Sequence, residues 1–156
     1  MMNETFTLLL LGAHALLLVY AGVRDVQTYL IRNRLVVVLA LLAPVWWLAS
    51  DIGLLDAGIR ILVAAGVFGL LALAFRIGMM GGGDVKLAAA VALWFSPGET
   101  LRFLVVMSIA GGLVTLFAMI AHKTAKKEGH PKVPYGVAIA IGGLWNVAQR
   151  FLNHFA

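Results

Sequence analysis

Two carboxylates are the residues of this chain best suited to chemistry. Asp25 opens the stretch Asp25-Val-Gln-Thr-Tyr-Leu-Ile-Arg-Asn33, Asp84 closes Gly81-Gly82-Gly83-Asp84, and each borders a long apolar run. A charge at membrane depth costs at least about 2.5 kcal/mol, so such a group persists where it has a partner or a task. Two carboxyls that share one proton supply a base and an acid together, one activating water and the other protonating the nitrogen of a leaving amide. Repulsion and desolvation favour that singly protonated pair, with either residue as the carrier. Gly81 and Gly83 would let a second backbone approach closely, as a cleavage site requires. Lys86 is suited to position an anionic group, although a helix-end lysine is better explained as snorkelling to the interface. Each aspartate also has a plain structural reading: Asp84 as the N-cap of the helix that follows, Asp25 as an interfacial partner of Arg24 or Arg32.

The elements that must hold these residues are membrane helices. Apolar residues make up 62% of the 156 positions and charged residues 12%, with a mean hydropathy of +0.98, too little polar surface to coat a soluble domain. Six apolar segments stand out, at residues 6–23, 35–49, 57–75, 85–95, 101–121 and 133–152. The expected fold is an all-α polytopic membrane protein, one domain over 1–156. Met1-Met2-Asn3-Glu4-Thr5 lacks the basic stretch of a cleavable signal, so the first segment is expected to be retained. There is no cysteine, which excludes disulfides, thiolate zinc sites and thiol nucleophiles. The net charge of +5 lies in short loops rather than on an extended basic face, so it speaks for membrane topology and against nucleic acid.

Counting those charges orients the chain. Arg24, Arg32, Arg34, Arg76, Lys86, Lys123, Lys126, Lys127 and Lys132 fall in three alternate loops, whereas Glu4, Asp51, Asp56 and Glu99 mark the opposite side. Arg60, Arg102 and Arg150 lie just inside neighbouring helices. Both termini are therefore expected outside, and Asp25 and Asp84 together on the cytoplasmic face. The fourth segment is short. From Asp84 to Phe95 a helix reaches about 18 Å, against roughly 30 Å of hydrocarbon. Ser96-Pro97-Gly98 breaks it at the outer end, so the glycines before Asp84 are expected to lie along a wet pocket below the cytoplasmic surface.

The remaining polar residues suggest no second centre. His14, His122 and His130 are too sparse for a metal, and His14 alone has the mid-helix position of a proton relay. Asn146 and Gln149 read as interhelical hydrogen-bond partners. Gly78 with Gly82, Ser108 with Gly112, and Ala138 with Gly142 have the four-residue spacing of close helix contacts. No metal or cofactor is expected.

Taken in order, the Asp25 stretch and Gly81-Gly82-Gly83-Asp84 resemble the two aspartate motifs of prepilin and preflagellin peptidases, membrane aspartyl proteases with Gly-x-Gly-Asp at the second site. Val133-Pro134-Tyr135-Gly136-Val137-Ala138-Ile139-Ala140, followed by Gly142-Gly143, is similar to that family's last helix. The resemblance implies Asp25 and Asp84 as catalytic residues, with Ile31, Asn33 and Pro134 joining Gly81, Gly83 and Lys86 in supporting or substrate-positioning roles. It further implies a prepilin-like substrate, cleaved after a leader glycine where a short basic leader meets an apolar helix, in a bacterial cytoplasmic membrane. Arg32 stands where the family has proline, which removes a fixed φ and adds a cation. The chain is similar in length to the short peptidases of tight-adherence pilus systems, and methyltransferase activity is not expected; an archaeal preflagellin peptidase is the nearby alternative. Intramembrane proteases of the presenilin type share Gly-x-Gly-Asp, but Val23-Arg24-Asp25 does not match their Tyr-Asp partner. Two other classes fit the same residues: an ion-coupled carrier using the aspartates as ion sites, and a noncatalytic scaffold in which they serve as caps.

Overall fold

The computed structural model describes residues 4–124 and 132–155; Lys126, Lys127 and His130 of the third basic loop lie outside the described residues. Six helices follow one another: α1 (Glu4–Thr28), α2 (Asn33–Ala49), α3 (Leu54–Arg76), α4 (Gly82–Ala92), α5 (Pro97–Thr124) and α6 (Tyr135–Phe155). No strand occurs among the described residues. The all-α membrane fold read from the apolar segments is the fold observed, since α1, α3 and α5 are each long and apolar enough to cross a bilayer. On α3 only Ala64 and Val67 are buried, while Leu62, Leu70 and Leu73 point outward, the pattern of a lipid-facing helix.

The connections are tighter than the charge count implies. Helix α1 continues through Asp25 to Thr28 and stops where Tyr29 turns left-handed at φ 52°, its N–H bonding the Asp25 carbonyl at 2.8 Å. Only residues 29–32 then separate it from α2. Between α3 and α4 the chain turns at Gly78, φ 76°, and Gly81 becomes the N-cap of α4. Asp84 is therefore not the cap but the third residue of the helix.

Helix α4 organises the bundle. Its eleven residues reach about 16 Å, and it packs against α2, α3 and α6, burying Val85, Leu87, Ala88, Ala90, Val91 and Ala92. A helix that ends at membrane depth leaves carbonyls that water does not reach, each costing several kcal/mol if unpaired. Side chains from three other helices satisfy them. Trp47 Nε1 donates to the Leu93 carbonyl at 3.0 Å, and Arg60 and Arg150 both donate to the Trp94 carbonyl, at 3.1 and 2.8 Å. Trp94 in turn donates from its indole to the Leu39 carbonyl at 3.0 Å.

The following helix starts with a capping box. Glu99 N–H bonds the Ser96 hydroxyl and Ser96 N–H bonds the Glu99 carboxylate at 2.7 Å, with Pro97 in the first helical position. Glu99 also pairs with Arg150 through two 2.7 Å contacts, and its carbonyl accepts from Asn146 at 2.7 Å. The guanidinium of Arg150 lies 4.5 Å from the Trp46 ring centroid.

Helix α6 runs against α5, α1 and α4. Contact with α1 and α5 is close because small residues line it: an ideal Cβ at Gly142 would come within 2.9 Å of the Phe103 carbonyl oxygen, and one at Gly143 within 2.7 Å of Leu18. Ala138 and Gly142 thus pack as their spacing suggests. On α5 the register is shifted by one residue. Gly111 faces Tyr135, whereas Gly112 has nothing within 4 Å and Ser108 turns its hydroxyl back to the Leu104 carbonyl.

Candidate active site

Antiparallel succession brings the last turns of α1, α3 and α5 and the first turns of α2, α4 and α6 to one end of the bundle, and both aspartates lie there. Asp25 is in the last turn of α1, 3% exposed; Asp84 is in the first turn of α4, 9% exposed. Their carboxyls lie within electrostatic range of each other.

Each carboxyl is held by backbone. Asp25 Oδ2 accepts the Gly136 N–H at 2.6 Å across 111 residues of sequence, and the Val137 amide also faces it. These are the second and third residues of α6; the Gly136 N–H has no partner within the helix, whereas the Val137 N–H also donates to the Pro134 carbonyl at 3.2 Å. Asp25 caps α6 from outside the segment, and it does so rather than pairing with Arg24 or Arg32. A side chain at Gly136 would collide with it, since an ideal Cβ there lies 2.8 Å from Oδ2 and 2.9 Å from Cγ. Asp84 folds back toward the Gly81 amide, the reach of an acidic residue at the third helical position in half a capping box. An ideal Cβ at Gly81 lies 2.8 Å from Asp84 Oδ2. The other oxygen, Oδ1, is buried and has no hydrogen-bond partner among the described residues.

The other sequence-selected residues surround this pair unevenly. Gly83 meets Ile31, with an ideal Cβ 3.1 Å from Ile31 Cβ and 3.3 Å from its carbonyl oxygen, so the 29–32 connection lies directly on the start of α4. Lys86 is exposed and donates to Asn33 Oδ1 at 3.4 Å, a surface link between α4 and α2. Pro134 immediately precedes α6. His14 is remote from the carboxyls: eleven residues before Asp25 on the same helix, about 16 Å away along the axis, its ring lies 4.2 Å from that of Trp94 at an interplanar angle of 38°. Among the described residues, no three His, Asp or Glu side chains gather as a metal site requires.

Beside Asp25 a groove of about 950 Å³ opens between α1, α5 and the start of α6. Val26 and Tyr29 form one wall, Leu113, Phe117 and Ala118 another, and Pro134 and Val137 its floor, with Lys132 and His122 at the basic end. Neither the groove, nor Tyr29, nor the Gly136 amide was identified as part of the site by reading the sequence. Pro134-Tyr135-Gly136 is the one signal that pointed there.

Residues 12–116, which include both aspartates, α2, α3 and α4, match the sequence profile of the type IV leader peptidase family. No curated protein and no solved structure matches the chain. The profile spans about two thirds of the sequence and ends before α6, and on that extent of agreement the chain belongs to the type IV leader peptidase family.

Proposed function

We propose that this chain is a single membrane-embedded aspartyl endopeptidase that removes the short basic leader of a prepilin-like protein at the cytoplasmic face of a bacterial inner membrane. Methyl transfer is not part of the reading. The observation that supports it is the placement of Asp25 and Asp84, two buried carboxyls within electrostatic range, at the same end of the bundle. One carboxylate takes a proton from water as the oxygen bonds to the scissile carbonyl carbon. The other carboxyl gives its proton to the leaving nitrogen as the C–N bond breaks. Return of the gained proton from the first to the second restores the pair for the next turnover.

The groove suits the apolar part of such a substrate. A helix about 10 Å wide with a 5.4 Å pitch occupies about 420 Å³ per turn, so 950 Å³ accepts roughly two turns. Its wall residue Val26 adjoins Asp25, which would bring the start of a docked helix beside the carboxyls. Filling the groove with Ala118→Trp is expected to raise KM several-fold for helix-bearing substrates with little change in kcat.

The decisive experiment is cleavage of a panel of candidate prepilins by purified protein in lipid, comparing wild type with Asp25→Asn and Asp84→Asn at equal folded yield. Leader cleavage by wild type and a loss of at least about 100-fold in both variants is the expected result. Equal cleavage by the variants would sink the two-carboxylate mechanism.

A further inference from the structure

The two carboxyls are not equivalent in their surroundings, and we infer that the start of α6 fixes their division of labour: Gly136 positions Asp25 as the ionised base, and Asp84 is the acid that carries the proton. The inference rests on the peptidase reading above and adds to it a positioning residue and an assignment of roles.

Asp25 is built to stay an anion. The 2.6 Å contact from the Gly136 N–H has the shortness of a charge-assisted bond at the positive end of a 21-residue helix, and the Val137 amide, shared with the Pro134 carbonyl, faces the same carboxylate. Absence of a side chain at Gly136 is what allows it, because any Cβ would occupy the space of the carboxylate. Asp84 has the Gly81 amide for one oxygen and nothing for the other. A buried anionic oxygen without a donor is costly, whereas the same oxygen carrying a proton is a donor waiting for the leaving group. Two helix ends act in the opposite sense, since Asp25 closes α1 and Asp84 opens α4. Macrodipole effects at such ends are weaker than direct hydrogen bonds to a charged group, so the bonded amides decide.

Under this division, water loses its proton to Asp25 while its oxygen attacks, and the Asp84 proton leaves with the amine. Asp25 then holds a proton and Asp84 a charge; transfer between them resets the site. Gly136 touches no substrate atom in this scheme and acts only through Asp25.

Infrared difference spectra of the purified protein in lipid nanodiscs at pH 7 test the assignment without any substrate. Subtracting Asp25→Asn from wild type should reveal the stretch of an ionised carboxylate, and subtracting Asp84→Asn that of a protonated carboxyl. The reverse pattern, or a mixture of both stretches in each difference, overturns it. Kinetics test the positioning role: Gly136→Ala should lower kcat by about 100-fold with KM within about threefold, because a base displaced by an ångström fails in the chemical step. Gly112→Ala, a helix glycine with open space around it, should cleave as wild type. Wild-type turnover by Gly136→Ala would overturn the positioning role. Failure of wild type to cleave any prepilin would instead remove the peptidase reading, while leaving the infrared assignment measurable.

Discussion

Arg32 has the backbone that a proline would impose. Its φ of −73° falls in the proline range, and its ψ of 134° is extended, as the N-cap of α2. The substitution therefore changed the chain's freedom in the unfolded state and the local charge, but not the turn. Arg32→Pro is expected to stabilise the fold by about 0.4–1 kcal/mol, read from the unfolding midpoint in mild detergent; destabilisation would show that the Arg32 N–H or side chain has a structural task. Gly81 makes the contrasting case. A Cβ there meets only the end of the Asp84 side chain, which can rotate away, so Gly81→Ala should shift stability by less than about 1 kcal/mol yet lower cleavage at least about tenfold by moving the carboxyl. Retained activity would argue that the Asp84 carboxyl needs no support from Gly81. Asp25 and Asp84 were legible in the sequence because a carboxylate beside a long apolar run is rare and costly. Gly136 was not, since every residue but proline offers an N–H and no side-chain type marks the one that is used across 111 residues. Tyr29 was hidden for a similar reason: its left-handed φ is imposed by the end of α1 and is contrary to the preference of a bulky residue.

At the scale of elements, the six helices were readable and their ends were not. Apolar runs register the bilayer, but a helix stops where its caps allow. Ser96-Pro97-Gly98-Glu99 reads as a simple break until its two reciprocal bonds identify it as the start of α5. Loop residues 24–28 proved helical because Asp25 finds its partner in α6 while still part of α1. The same reasoning assigns the half-buried arginines near the outer end to α4. Arg150 joins the Glu99 carboxylate, the Trp94 carbonyl and the face of Trp46, so its loss leaves the Trp94 carbonyl to Arg60 alone and the Glu99 carboxylate to the Ser96 N–H alone. Arg150→Met is expected to cost about 2–3 kcal/mol, the range for a charge-assisted pair that is mostly but not wholly shielded from solvent. A double-mutant cycle with Glu99→Gln should give a coupling of at least about 1 kcal/mol. Additive effects would mean that the pair is incidental to holding the end of α4. Trp94→Phe, which removes the donation to the Leu39 carbonyl and also shrinks a fully buried ring packed against His14 and Trp46, should cost at least about 2 kcal/mol.

At the scale of the whole molecule, charge decides which end of the bundle faces the cytoplasm. Arg24, Arg32, Arg34, Arg76, Lys86, Lys123 and Lys132 gather at the end that holds the carboxyls, while Glu4, Asp51, Asp56 and Glu99 lie at the other. Arg60, Arg102 and Arg150 are exceptions in a charge count, but Arg60 and Arg150 are turned inward onto the Trp94 carbonyl and serve α4 rather than the interface, which leaves the exposed Arg102 as the cation on that side among the described residues. Discounting the two inward-turned arginines sharpens the asymmetry that sets orientation. A chain without cysteine allows this to be read directly. Met79→Cys in the α3–α4 connection and Asp51→Cys in the α2–α3 connection are both at exposed positions. A membrane-impermeant maleimide should label Met79→Cys in inside-out vesicles only and Asp51→Cys in right-side-out vesicles only. The opposite pattern would put Asp25 and Asp84 on the outer face, beyond the reach of a basic leader that has not crossed the membrane. Peptidase chemistry by the pair would survive that result, but cleavage of a cytoplasmic leader would not, because the substrate bond and the carboxyls would lie on opposite sides of the same hydrocarbon layer.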